Sequence, residues 1–147
     1  LVNKLESQSN GGIISSFSLK SELSELKVLA EKIETFGQEN NISDKTVFEL
    51  NLVLDELFTN LVSYGCYSDS HNFDIALLLK DGVLYIGIED DGKQFNPLKV
   101  AEPEIECDCS ERKIGGLGIH FMRKMMDDIE YFWDGVKNTL KLTKKIQ

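Results

Sequence analysis

Residues 73–92 read FDIALLLKDGVLYIGIEDDG, and the fold turns on this stretch. Phe73 to Lys80 and Val83 to Asp90 are strand-like runs joined by Asp81-Gly82, a two-residue hairpin signature. Along the second run Leu84, Ile86 and Ile88 share one face by the two-residue period of a strand, and Asp90 continues their row. A carboxylate at the end of a buried apolar row is costly unless something hydrogen-bonds it. Two readings follow. A ligand donor such as an adenine amino group meets Asp90, with Gly92 letting a flat ring approach the backbone; or the strand has already ended and Asp90 caps a turn.

Upstream, Ile13 to Leu19 reads as a short first strand. Ser21 has the chemistry of a helix N-cap, with Glu22 and Glu25 in the first turn, where acidic side chains meet the positive end of the helix dipole. Leu23, Leu26, Leu29 or Ala30, Ile33 and Phe36 then recur at helical spacing, so one amphipathic helix runs to the break at Asn40-Asn41. Ser43 caps a second helix. Its core-facing stripe is Val47, Leu50, Leu54, Leu57 and Leu61, widened by Val53, Phe58 and Val62, and it stops near Tyr64-Gly65.

Downstream, a loop from Asp91 to about Gly115 is long for a compact domain, and such loops are usually functional lids or disordered. A third helix is expected over Leu117 to Asp128. A closing hairpin follows, from Ile129 to Trp133 and from Thr139 to Ile146. Helices and a mostly antiparallel mixed sheet, without βαβ alternation, predict an α+β two-layer sandwich with the helices on one face of the sheet. Residues 1–11 are expected to be a disordered or extraneous end, and 12–147 a single domain.

Composition narrows the function. The 147 residues are 41% hydrophobic and 28% charged, an ordinary globular balance. The net charge is −9, and Lys and Arg nowhere cluster into a phosphate-backbone footprint, which argues against a nucleic-acid partner. An acidic protein that binds an anionic nucleotide must cancel charge locally, which brings in a divalent cation. The three cysteines, Cys66, Cys107 and Cys109, do not form a disulfide framework. No apolar run approaches the ~20 residues of a membrane span. Leu1 to Gly12 lacks the apolar core of a secretory signal. The expectation is a cytoplasmic protein with no membrane partner.

Two further segments carry candidate chemistry. Glu56 and Asn60 lie four residues apart, one above the other on a helix face that flanks the apolar stripe. At the edge of a core such a pair can roof a pocket and offer a hard cation oxygen ligands; the more ordinary reading is a solvated polar flank. Gly115-Gly116-Leu117-Gly118 runs into a helix carrying Ile119, Met122, Met126 and Ile129. Backbone N–H groups there can converge on phosphate, with Arg112 and Lys113 adding local positive charge. A glycine cluster is also compatible with a simple flexible connection. Cys107, Cys109 and His120 fall short of the four ligands of a structural zinc site, and Met122, Met125 and Met126 read as core filler. No nucleophile–His constellation is readable.

In this order, the three elements resemble the GHKL ATP-binding superfamily of gyrase, Hsp90, histidine kinases and MutL. Within it the chain is most similar to the bacterial anti-sigma-factor serine/threonine kinases. The N-box is Leu54-Asp55-Glu56-Leu57-Phe58-Thr59-Asn60. The first glycine box is Asp90-Asp91-Gly92-Lys93-Gln94-Phe95-Asn96-Pro97, and the second Gly115-Gly116-Leu117-Gly118-Ile119. Met126-Asp127-Asp128-Ile129-Glu130-Tyr131 is also like these kinases, and Thr139 matches a position that helps hold adenine.

The resemblance implies a Bergerat-type sandwich that binds ATP and Mg²⁺. Asn60 would ligate the ion, Asp90 would read the adenine amino group, and 98–114 would be the ATP lid. Gly92, Phe95, Arg112, Lys113 and the second glycine box would complete the nucleotide site, and Glu56 would orient or deprotonate the attacking hydroxyl. Implied partners are an anti-sigma antagonist of the STAS type, phosphorylated on serine or threonine, and a sigma factor, with a homodimer as a possible assembly.

Three features depart from the family pattern. Tyr64 stands where His is usual, Asn96 where Asp is common, and an acidic, cysteine-bearing run from Glu102 to Glu111 occupies the lid. They bear on catalytic rate more than on nucleotide binding. Two function classes remain: a kinase that is also an anti-sigma factor, and a nucleotide-dependent sequestering module that does not turn ATP over.

Overall fold

The computed structural model describes residues 5, 7, 10–64, 71–99 and 122–146. The elements are β1 (Ile13–Lys20), a 3-10 turn (Leu23–Glu25), α1 (Leu26–Glu39), α2 (Asp44–Tyr64), β2 (Asn72–Lys80), β3 (Val83–Asp90), β4 (Asp128–Trp133) and β5 (Asn138–Lys145). The strands form one sheet in the order β1-β2-β3-β5-β4. Every pairing among them is antiparallel. The expected third helix is helical over 122–125, with 117–121 outside the described residues; β4 begins at Asp128, where that helix was expected to end.

The β2–β3 hairpin closes as its turn residues require. Asp81 and Gly82 both have positive φ, 52° and 76°, the left-handed pair of a tight two-residue turn. From there Leu79 pairs with Leu84, and the register runs unbroken to Asp74 opposite Glu89.

The entry to α1 differs from expectation. Glu22, not Ser21, precedes the first turn, which is 3-10 and has no side-chain cap. The Ser21 N–H is committed to the His71 carbonyl at 2.8 Å, so the chain leaves β1 pinned to the start of β2. At the other end Asn40 Nδ2 donates to the Phe36 carbonyl at 2.8 Å, and Asn41 takes φ 54°, which stops α1 in a left-handed turn. Ser43 caps α2 as expected, its hydroxyl accepting the Thr46 N–H at 3.2 Å. The two helices approach closely where Gly37 faces Val47; a Cβ on Gly37 would lie 2.5 Å from the valine methyl.

The main core joins one face of the sheet to the helices. Leu19, Phe73, Ile75, Leu77, Leu84, Ile86, Ile88, Leu140 and Leu142 meet Leu29, Ile33, Phe36, Leu50, Val53, Leu54, Leu57, Phe58 and Leu61. On the opposite face Ala76 and Leu78 form a smaller cluster, covered by Leu5, which is only 2% exposed. At the α2–sheet contact Phe58 stands edge-on to Phe73, their ring centroids 5.7 Å apart. Phe58→Ala is expected to lower stability by about 3–5 kcal/mol, the usual cost of an emptied aromatic site. Denaturant unfolding with an unchanged midpoint would contradict this packing.

Candidate functional site

α2 leads into β2, whose first residues lie beside the last of β3, so the C-terminal end of α2 and the end of β3 share one end of the molecule. Edge-on rings mark that end: Phe58 against Phe73, and His71 against Phe73 at 5.5 Å. His71 in turn reaches Asp90, with Nε2 3.3 Å from Oδ1.

β3 extends through Asp90, which pairs in register with Asn138. The row Leu84, Ile86, Ile88 and Asp90 is therefore a true strand face, and Asp90 is buried at 6% exposure. Its Oδ1 accepts the Gly92 N–H at 2.9 Å and Asn138 Nδ2 at 3.1 Å, besides facing His71. These contacts offset the desolvation of the carboxylate. Gly92 stands two residues after the carboxylate, with its own N–H turned back on it.

Asn138 was not among the residues singled out from sequence, yet it organises the site. Nδ2 donates to Asp90 and to the Lys93 carbonyl (2.8 Å). Oδ1 accepts the Phe95 N–H at 2.9 Å and the Tyr131 hydroxyl. One amide so ties β5, β4 and the loop after β3 to the buried carboxylate. Burial, reinforced by the charge of Asp90, pushes the Tyr131 phenol above its ordinary range even though a backbone contact at Phe95 pulls the other way, so Tyr131 stays a hydrogen-bond donor. Phe95 packs its side chain on the main core.

Thr139 falls elsewhere. Asn138, Leu140 and Leu142 face the helices, so the alternation of β5 turns Thr139 to the opposite face, where it pairs with Glu89. The structure does not bring Thr139 together with Asp90; the β5 residue that reaches Asp90 is one position earlier, a slip that flips the face.

Asn60 lies deeper than the core edge expected for it. It is fully buried, and among the described residues neither Oδ1 nor Nδ2 has a hydrogen-bond partner. Glu56, one turn earlier, is half-buried; desolvation, then the neighbouring Asp55 carboxylate, raise its pKa above the ordinary glutamate value. In the loop, Asn96 Oδ1 accepts the Leu98 N–H at 2.9 Å. That is the turn an aspartate would make, so this departure from the family pattern keeps its acceptor. Arg112, Lys113, Gly115, Gly116, Leu117 and Gly118 lie outside the described residues, as do Gly65, Cys66, Cys107, Cys109, His120 and the lid beyond Lys99.

The donor set suits a magnesium nucleotide. Leaving a buried amide unpaired costs about 1–3 kcal/mol, and Asn60 holds an oxygen that a hard cation can take. Among the described residues no three His, Cys, Asp or Glu side chains gather into a metal site. An ion at Asn60 would draw its other ligands from phosphate and water, as Mg²⁺ characteristically does.

A family model described as the histidine kinase-like ATPase domain matches residues 19–144. The chain belongs to the histidine kinase-like ATPase domain family. Within this family it is 24% identical over 97 residues to the serine-protein kinase RsbW of Listeria monocytogenes, covering 63% of this chain and 62% of that protein. It is 26% identical over 98 residues to the anti-sigma F factor of a Geobacillus strain, covering 66% and 67%, and 29% identical over 82 residues to that of Bacillus licheniformis, covering 55% and 56%. The match thus spans under two thirds of the RsbW length. Among solved structures, the RsbU and RsbW domains of a Mycobacterium tuberculosis protein share the fold with a TM-score of 0.66. The identity is 12%, over 91% of this chain and 32% of that one. The α+β sandwich with its antiparallel sheet is therefore similar in fold to part of that protein. Among the described residues no helix is long and apolar enough to cross a membrane.

Proposed function

We propose that this chain is an anti-sigma regulatory factor of the cytoplasm, one that binds Mg-ATP and phosphorylates a serine or threonine of an antagonist protein. The observation that carries the reading is Asn60, a fully buried amide with no partner among the described residues, one helical turn from a half-buried glutamate whose pKa is raised. A purely structural asparagine at that depth would be hydrogen-bonded. Similarity to proteins named serine-protein kinase RsbW and anti-sigma F factor supports the acceptor class and a sigma factor as the second partner.

In this reading Asp90 accepts the adenine amino N–H, Gly92 keeps the ring's approach clear, and Asn60 holds the cation. The cation supplies charge neutralisation at the phosphates. Glu56 accepts the proton of the attacking hydroxyl while the new O–P bond to the γ-phosphorus forms and the bond to the β-phosphate oxygen breaks, releasing ADP. Phosphoryl transfer needs mainly positioning and neutralised charge, so this sparse set is chemically sufficient.

The test of the whole reading is incubation with labelled ATP, Mg²⁺ and a candidate antagonist protein of the STAS type, scored for label transfer and for ATP binding. Tight ATP binding without transfer would replace the kinase by a nucleotide-dependent sequestering module. Asn60→Ala is the narrower test. The variant is expected to fold, since among the described residues the amide has no hydrogen bond to lose, and to lose ATP affinity mainly when Mg²⁺ is present. Identical ATP affinities for variant and wild type across a magnesium titration would remove Asn60 from the ion.

A further inference from the structure

We propose that His71 is a positioning residue for Asp90 and makes nucleotide affinity fall as the pH falls. This rests on the nucleotide reading of the site, and His71 lies outside the three sequence boxes quoted above. Three donors converge on Asp90 Oδ1: the Gly92 N–H at 2.9 Å, Asn138 Nδ2 at 3.1 Å and His71 Nε2 at 3.3 Å. The first two are fixed in number, a backbone amide and a side-chain amide. His71 alone among them changes its proton count in the physiological range.

The ring is held for the task. Phe73 meets it edge-on at 5.5 Å, and Phe73 is itself braced by Phe58 of α2. The His71 carbonyl is tied to the Ser21 N–H. On the far side of the ring, Nδ1 lies 3.9 Å from Oδ1 of Asp91, whose side chain is exposed. A protonated imidazole therefore has a carboxylate at each nitrogen, one buried and one open to solvent.

Acidic side chains line the space beside the ring. The hollow against His71, about 390 Å³, is lined also by Ser18, Asn72, Asp74, Glu89 and Lys137. Lys137 is paired with Glu89 at 3.1 Å, and Ser18 donates to Asp74. Asp74, Asp90 and Asp91 thus leave a negative surround around the ring.

The consequence follows from competition for one acceptor. A protonated His71 draws on the charge of Asp90 and weakens it as an acceptor for the adenine amino group; loss of that proton restores it. Linkage requires the reciprocal effect, so bound ATP must disfavour the protonated ring.

The experiment is calorimetric titration of the full chain with Mg-ATP at about pH 8 and about pH 5.5, wild type against H71Q. The terminal phosphate of the nucleotide titrates in the same range, so the reading is the difference between the two proteins. Wild type is expected to lose roughly fivefold or more affinity beyond what H71Q loses, the lower end of ordinary coupling between sites. D91N should reduce the acid weakening by removing the second carboxylate. NMR of the His71 ring protons should show their titration moving to more acidic pH when ATP is added. If H71Q does not fold, D91N and the ring titration decide alone. ATP binding with the same pH dependence in wild type and both variants, or a ring titration indifferent to ATP, overturns the role of His71. Failure of wild type to bind ATP at either pH overturns the nucleotide reading itself.

Discussion

Asp90→Asn is expected to weaken ATP binding ten- to a hundredfold while leaving the fold in place. The side chain sits at the end of a fully paired strand and is buried, so a bulky change there would report on folding as much as on binding. Asparagine avoids this. It keeps the shape of the carboxylate and one oxygen that can still accept the Gly92 N–H and Asn138 Nδ2, the contacts that anchor the loop. What it loses is the negative charge. A charge-assisted hydrogen bond in a buried site is worth about 1.5–3 kcal/mol, which sets the expected factor. Calorimetric titration with Mg-ATP, alongside a thermal melt, separates the two effects. Wild-type affinity in the variant would take Asp90 out of the nucleotide site.

Much of this architecture is written in local patterns. Asp81-Gly82 fixes the turn, the turn fixes the register, and the register carries the apolar row as far as Asp90. The stripe of α2 is equally legible, because its periodicity is sustained over the whole helix. The same logic, taken one step further, reaches residues the sequence reading passed over. Counting back along the hairpin from Asp74 opposite Glu89 puts His71 beside the end of β3, and it is in phase with Phe73, Ile75 and Leu77 on the core face. Asn138 was read as part of a turn, but it is in phase with Leu140 and Leu142, and that phase is the signal for a buried polar residue. Thr139, the β5 candidate, pairs with Glu89, and Asn138 is the β5 residue opposite Asp90.

Other differences are tertiary and have no local signature. Ser21 has every property of a helix cap, but its N–H is taken by a carbonyl fifty residues away, and the first turn tightens to 3-10 behind it. Asn60 sits on a helix flank by periodicity alone, and its complete burial comes with the tertiary packing. Neither the Ser21 partner nor the burial of Asn60 is something a periodic pattern encodes.

Glu56→Gln should separate a kinase from a binder. The variant is expected to keep its ATP affinity while phosphotransfer falls by ~10²–10⁴, the usual loss on removing a general base. Glutamine preserves the size and helical position of the side chain but cannot take a proton, so the effect belongs to the transition state and not to the ground-state complex. The structure gives Glu56 the setting this role needs. Burial and the Asp55 carboxylate raise its pKa, which makes the carboxylate a better proton acceptor when ionised. The sign of the pH dependence follows. Because the pKa is raised, Glu56 takes up its proton at a higher pH than an ordinary glutamate, and wild-type phosphotransfer should decline on the acid side beginning above the usual carboxylate range. The Gln variant should lack that limb. The assay measures label transfer to the antagonist and ATP binding side by side across pH. Equal transfer by wild type and variant would show that Glu56 is not the base. A variant that loses ATP binding in parallel would instead make Glu56 part of the nucleotide's ground-state contacts, leaving the proton to another acceptor.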